Sequence, residues 1–176
     1  MPELIESAVA YSNKVITGLL EYSGDMRLNL AETTLKSLTE GALLQVRIPE
    51  NIDARDFTED QPTLGAGEEK AQRVFVNLIE NAVDAMPNGG ELTISVKESN
   101  GNLGIKFTDT GKGMTRKKLE NIWKQLHTTK AKGIGLGLAI CKRAMEAHGC
   151  LVSVESEVGK GTMFTVELPV TMKKEG

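Results

Sequence analysis

A chain of 176 residues, 40% hydrophobic and 26% charged, is long enough to bury one core without metal or disulfide staples. Its formal net charge of -3 excludes general affinity for nucleic acid or anionic membrane, so any phosphate site must be local. No apolar run approaches the ~20 residues of a membrane span, no signal-peptide pattern opens the chain, and Cys141 and Cys150 fit neither a zinc spacing nor a disulfide framework, which points to buried thiols in a reducing, cytoplasmic setting whether or not the parent protein is membrane-anchored.

Over residues 2–22, Leu4, Ala8, Tyr11, Val15, Leu19 and Tyr22 recur at steps of four and three, with Ile5, Val9, Ile16 and Leu20 beside them. The pattern predicts a helix with a wide apolar face, either paired with a bundle partner or folded onto its own domain. Residues 28–30 read as a short strand, and Thr33 or Thr34 as the N-cap of an amphipathic helix ending near Val46. Residues 48–64 contain Pro49 and Pro62 and leave room for one or two short strands. A long helix follows over 68–86, its buried stripe Ala71, Phe75, Leu78, Ala82 and Met86, and Pro87, Asn88, Gly89 and Gly90 end it. Residues 92–96 and 103–107 alternate in polarity about Asn100 and Gly101, which predicts a hairpin. Residues 110–133 are polar, Gly-containing and Lys-rich, too long for an ordinary connection, and read as a functional loop or lid. A helix is expected over 134–148, then strands over 151–154 and 163–168 about a turn at 159–161, then a frayed tail. Strand pairs between helices imply an α+β fold, with helices covering one face of a mostly antiparallel sheet.

On the long helix, Arg73, Asn77, Asn81 and Asp84 are spaced by four, four and three and share the face opposite the core stripe. Such a face is either plain solvated surface or a ligand set; asparagines are poor solubilisers of a helix because their amides compete with the backbone. An amide oxygen can enter the oxygen shell of Mg²⁺, which waters and substrate phosphates complete. Asp109 ends a strand and is followed by Thr110, Gly111, Lys112 and Gly113; it is a turn aspartate or the acceptor for an exocyclic amine, with glycines letting the backbone approach a ligand. Gly133, Gly135 and Gly137 alternate where the lid passes into a helix, so backbone N–H groups and the positive helix end can meet phosphates. Lys130 and Lys132 precede them, as phosphate partners or as exposed lid lysines, and Gly159 to Thr162 is a hairpin turn or part of the same site.

The combination is more specific than its parts. NLIENAVDAM (77–86), DTGKGM (109–114), TTKAKGIGLGLAI (128–140) and GKGT (159–162) occur in order, in helix, strand-end, lid and hairpin contexts. Over residues 28–169 they resemble the GHKL ATP-binding superfamily, and within it the catalytic domain of two-component histidine kinases. The resemblance implies an α/β sandwich, a mixed sheet under three main helices with ATP between the helix layer and the lid. It makes Asn81 the Mg²⁺ ligand, Asn77 a phosphate-side partner, and Asp109 the acceptor for the adenine amino group, supported by Thr162 through a water. Lys130 reaches toward the terminal phosphates, and Asp84, Gly111, Gly113, Met114, Thr129, Gly133, Ile134, Gly135, Leu136 and Gly137 complete the pocket and its lid.

Related ATPases carry a glutamate one turn before the metal asparagine to activate water. This chain has Asn77 there, and an amide cannot accept a proton at neutral pH, while Glu80 points about 100° away from Asn81. Transfer to an imidazole, which supplies its own nucleophile, is therefore expected in preference to hydrolysis. The two histidines, His127 and His148, lack the family's acceptor context, so the acceptor is expected on a separate dimerisation domain. Residues 15–30 resemble the end of that domain's second helix, which gives a division into 1–27 (helix and linker), 28–170 (ATP-binding domain) and 171–176 (tail). Implied partners are ATP, the dimerisation domain, a response regulator and a second copy through the N-terminal helix. A serine kinase of the anti-sigma type and a noncatalytic nucleotide-responsive module are the competing readings. Ile122, Trp123, Lys124 and Gln125 depart from the phenylalanines common in family lids.

Overall fold

The computed structural model describes residues 2–124 and 135–169. Helix α1 (Pro2–Ser23) precedes strand β1 (Leu30–Thr33), helix α2 (Leu35–Gln45), strands β2 (Ile52–Asp56) and β3 (Leu64–Gly67), and the long helix α3 (Glu68–Ala85). Strands β4 (Gly90–Ser99) and β5 (Asn102–Asp109), the short helix α4 (Arg116–Leu119), helix α5 (Gly137–Ala147) and strands β6 (Leu151–Glu157) and β7 (Gly161–Pro169) follow. Five strands form one sheet in the order β2-β4-β5-β7-β6, parallel at β2–β4 and antiparallel elsewhere, and β1 pairs with β3 in a separate two-stranded ribbon. The expected α+β class and largely antiparallel sheet are what the chain adopts.

Local chemistry accounts for the boundaries. Thr34 is the N-cap of α2: its backbone is extended and its hydroxyl accepts from the Ser37 N–H at 3.0 Å. Asn100 and Gly101 both have positive φ, 51° and 75°, as a two-residue hairpin turn matched to strand twist requires. The first strand lies at 30–33 rather than 28–30, because its partners are the carbonyls and amides of β3, set by the register Leu30 to Gly67. Helix α5 begins at Gly137 rather than at Ile134, after a left-handed Gly135 with φ 70°.

The core lies between the sheet and the layer of α2, α3 and α5. Every residue of the expected α3 stripe is buried, and Val74, Val76 and Ile79 widen it. Phe75 meets Phe107 of β5 edge-on, with ring centroids 5.1 Å apart, so that α3 is locked over the middle of the sheet. Each such side chain contributes about 1.5–3 kcal/mol by leaving water, which makes the α3–β5 contact a rigid base for whatever stands at its rim. Helix α1 is different: its last turn meets α5 and α3 through Tyr22 under Arg143 (4.9 Å) and Glu21 beside Arg73 (3.5 Å), whereas Leu4, Ile5, Val9, Tyr11, Ile16, Leu19 and Leu20 remain exposed.

His148, one of the two histidines, caps α5 and ties it to the start of α3. Its Nδ1 is 2.7 Å from the Ala144 carbonyl oxygen, and its Nε2 accepts from the Gly67 N–H at 3.1 Å. A ring held by backbone groups at both nitrogens serves the fold.

Candidate functional site

The inward row of β5 is Leu103, Ile105, Phe107 and Asp109, all buried, and that of β7 is Thr162, Phe164, Val166 and Leu168, all buried. Strand periodicity therefore places a carboxylate where the core expects an apolar side chain. The register carries the same level across the sheet: Leu92 of β4 opposes Asp109, Asp109 opposes Thr162, and Thr162 opposes Ser156 of β6. One end of the core face is thus polar over three adjacent strands.

Asp109 is only 4% exposed. Burial raises its carboxyl above the ordinary aspartate range, and the N–H groups of Gly111 (2.8 Å to Oδ1) and Thr162 pull it partly back. Beside it, the Thr162 hydroxyl lies 2.9 Å from Ser156 Oγ, which in turn donates to the Gly161 carbonyl (2.9 Å) and accepts from the Met114 N–H (2.8 Å). Ser156 is the residue that sequence reasoning missed; it stands alone between two glutamates, and only the strand register reveals its partners.

The loop after Asp109 is stitched on both sides. Thr110 exchanges hydrogen bonds with the Glu91 backbone, the Lys112 N–H donates to the Ala85 carbonyl at 3.0 Å, and the Gly159 N–H donates to the Lys112 carbonyl at 2.9 Å. Gly111 lies flat against α3, where a Cβ would stand 2.5 Å from Ala85 O. Gly113 has φ 65°, and a side chain there would run into the Glu157 carbonyl. Met114 packs against the core, and farther on Ile122 is buried and Trp123 meets Phe164 edge-on at 6.1 Å. Ile122 and Trp123, two of the residues that depart from the phenylalanines common in family lids, thus pack on the core.

Asn77, Asn81 and Ala85 are four residues apart on α3 and form one row, ~12 Å long at 1.5 Å per residue. Asn77 and Asn81 are half-buried and Asp84 is exposed, one step aside. At one end of the row, Gly111 rests on Ala85 and carries the N–H that holds Asp109. At the other, Gly137 opens α5 against Asn77, and a Cβ on it would lie 3.4 Å from Asn77 Oδ1. Leu136, buried, sits between the left-handed Gly135 and this helix start. The structure thus brings Asn77, Asn81, Asp109, Gly111, Gly137 and Thr162 to one rim. Thr129, Lys130, Gly133 and Ile134 lie outside the described residues. A buried acceptor at one end of such a row and amides near a helix start at the other can hold a molecule with an amino-bearing ring and an anionic tail.

Comparison with known proteins identifies the family. Residues 66–172 match the family described as histidine kinase-, DNA gyrase B-, and HSP90-like ATPase. Sporulation kinase C of Bacillus subtilis (strain 168) is 41% identical over 117 residues, 66% of this chain and 27% of that protein. Sensor histidine kinase ZraS of Escherichia coli (strain K12) is 34% identical over 167 residues, 93% of this chain and 36% of that protein. The chain thus spans under two fifths of the length of these relatives. Among solved structures, the catalytic domain of histidine kinase ThkA superposes with a TM-score of 0.70 at 26% identity, covering 81% of this chain and 96% of that one. Full-length ShkA in complex with AMPPNP gives 0.79 at 26% identity, over 95% of this chain and 36% of that one. With more than half of its length inside the family match and a fold shared with a kinase catalytic domain, the chain belongs to the histidine kinase-, DNA gyrase B- and HSP90-like ATPases, as a catalytic ATPase domain of the sensor histidine kinase type.

Proposed function

We propose that this domain binds Mg²⁺–ATP and donates the γ-phosphoryl group to a histidine on the dimerisation domain of its own kinase, from which a response regulator takes it. The observation that carries the reading is Asp109, a buried carboxylate in an apolar row, at one end of the α3 face that runs through Asn81 to Asn77, which stands beside the start of α5. A carboxylate there accepts the adenine amino group and rejects guanine, whose keto oxygen has no proton to give. The triphosphate extends along Asn81 and Asn77 toward Gly135, Leu136 and Gly137, with Lys130 assigned from sequence to the terminal phosphates and Thr129, Gly133 and Ile134 to the lid.

The residues present fit the cation. Among the described residues no three His, Cys, Asp or Glu groups converge, and Mg²⁺ asks for no such cage, since one or two protein oxygens suffice beside phosphate oxygens and water. Asn81 supplies such an oxygen from a half-buried, rigid helix, and the bound ion neutralises phosphate charge. The chain's own part is then positioning: Asp109 fixes the purine, the α3 amides fix the triphosphate, and the acceptor imidazole forms an N–P bond as the bond from the γ-phosphorus to the bridging oxygen breaks and ADP departs. Asn77 stands where the related ATPases keep a general base, which favours transfer over hydrolysis.

Two measurements test the reading together. Calorimetric titration should show ATP binding that strengthens with Mg²⁺ and little binding of GTP; equal affinity for both nucleotides would remove Asp109 from the purine. Asn81→Ala should abolish the benefit of Mg²⁺. With a separately produced acceptor hairpin and γ-labelled ATP, acid-labile phosphate should form on the hairpin. Acid-stable phosphoserine on another protein, with none on the hairpin, would replace this reading by a serine kinase of the anti-sigma type.

A further inference from the structure

The polar end of the core face contains a side chain to which the chemistry above gives no task. Ser156, half-buried on β6, opposes Thr162 of β7, and Thr162 opposes Asp109 of β5. Thr162 and Asp109 are both buried on the core face, and side chains so opposed stand about 4.5–5.5 Å apart at Cβ. Ser156 Oγ has three neighbours: the Gly161 carbonyl oxygen at 2.9 Å, the Met114 N–H at 2.8 Å and the Thr162 hydroxyl at 2.9 Å. A hydroxyl has one proton to give and two lone pairs to receive with. The Gly161 carbonyl can only accept, so it takes the serine proton; the Met114 N–H can only donate, so it fills one lone pair. What remains for Thr162 is the second lone pair, which obliges the threonine to donate.

We infer that Ser156 is a positioning residue for the purine end of the site: by drawing the Thr162 proton to itself, it leaves Thr162 only lone pairs to turn toward a bound base. The inference rests on Asp109 facing the purine as proposed above. Both backbone partners of Ser156 are fixed. Gly161 lies against β5, where any side chain would run into the Asp109 carbonyl, and Met114 closes the loop whose Gly111 N–H holds the Asp109 carboxylate. The serine therefore cannot turn its proton to Thr162 without abandoning the carbonyl of a buried residue. The Asp109 carboxylate and a committed Thr162 are both acceptors, so whatever meets them, the ring itself or a water between, must bring the protons. Adenine does so with its amine. A 6-keto purine presents an oxygen there and finds a donor on neither side chain. Ser156 thus extends the discrimination made by Asp109 to the strand beside it.

The test is the ratio of affinities for ATP and inosine triphosphate, which carries a keto oxygen in place of the adenine amine, measured by calorimetry with Mg²⁺. Ser156→Val and Ser156→Thr share one shape and differ in the hydroxyl alone. In Ser156→Val the Thr162 proton is released to meet the keto oxygen, and the ratio should fall about 3- to 10-fold, the range of one net hydrogen bond. Ser156→Thr should keep the ratio of the unaltered protein. Equal ratios in the two variants would reduce Ser156 to a strand-packing residue and overturn the inference, even where both bind more weakly. Should Ser156→Val not fold, NMR of hydroxyl protons in the unaltered protein decides. A slowly exchanging Thr162 hydroxyl proton close to the Ser156 β-protons supports the inference, and one that exchanges as fast as that of Ser153, exposed on the same strand, overturns it. If the unaltered protein binds no ATP, or binds both nucleotides alike, the proposed function fails and takes the inference with it, whereas equal ratios in the variants leave that function standing.

Discussion

A carboxylate at the end of Leu103, Ile105 and Phe107 is placed against the preference of its surroundings, and the fold bears that cost in order to keep it. Burial raises the Asp109 carboxyl, so the folded state binds its proton more tightly than the unfolded chain does. The stabilising difference is complete below the unfolded-state pKa and is lost as pH rises through the raised folded value. Asp109→Asn should therefore raise the melting temperature of the nucleotide-free protein at neutral pH, by an amount that shrinks toward zero in acid, and melting curves across pH check this. The same substitution should weaken ATP binding by about 1.5–3 kcal/mol, roughly 10- to 100-fold. A variant less stable by the same amount at every pH would contradict the assignment of the strain to ionisation. Asp109 was legible in the sequence because glycines follow it at once; Ser156 was not, since its meaning depends on which residue of β7 faces it, a long-range fact that no local pattern carries.

Between elements, the loop 110–114 is held by α3, β4 and the β6–β7 turn simultaneously. Gly113→Ala should destabilise by about 1–3 kcal/mol, because a Cβ at φ 65° is strained and also meets the Glu157 carbonyl, with no flexible side chain to give way. Denaturant unfolding measures it, and a change below 0.5 kcal/mol, ~the scatter of surface substitutions, would show the hairpin yielding. Thr34→Ala should cost about 1 kcal/mol through the lost cap of α2. Elements with strong internal signals were read well: α3 from its apolar stripe, the β4–β5 hairpin from Asn100 and Gly101. The early strand starts two residues and ends three residues later than expected, since the alternation of Leu28, Asn29 and Leu30 stops there and the strand's ends are fixed by β3. The start of α5 was read too early because Ile134 continues its apolar pattern while Gly135 breaks the backbone with a left-handed turn.

At the scale of the molecule, α1 buries Gly18 and meets α5 and α3 through Tyr22 and Glu21, while Leu4, Ile5, Val9, Tyr11, Ile16, Leu19 and Leu20 of its apolar face are exposed. The periodicity left pairing and folding back both open, because an amphipathic helix has the same spacing in either setting. Removal of residues 1–20 should leave the melting temperature within about 2 °C, as few buried contacts are lost. Sedimentation should show concentration-dependent self-association of the intact chain and a monomer after the removal. A truncated chain that still associates would place the contact elsewhere.

The periodic slot occupied by Asp109 has an evolutionary corollary. A single exchange to leucine or valine there would complete the hydrophobic strip of β5 and relieve the desolvated charge, and under the function proposed above the sturdier protein would lose its purine contact. Selection for robustness and selection for recognition thus pull one codon in opposite directions, and a lineage released from signalling should drift toward the greasy alternative first.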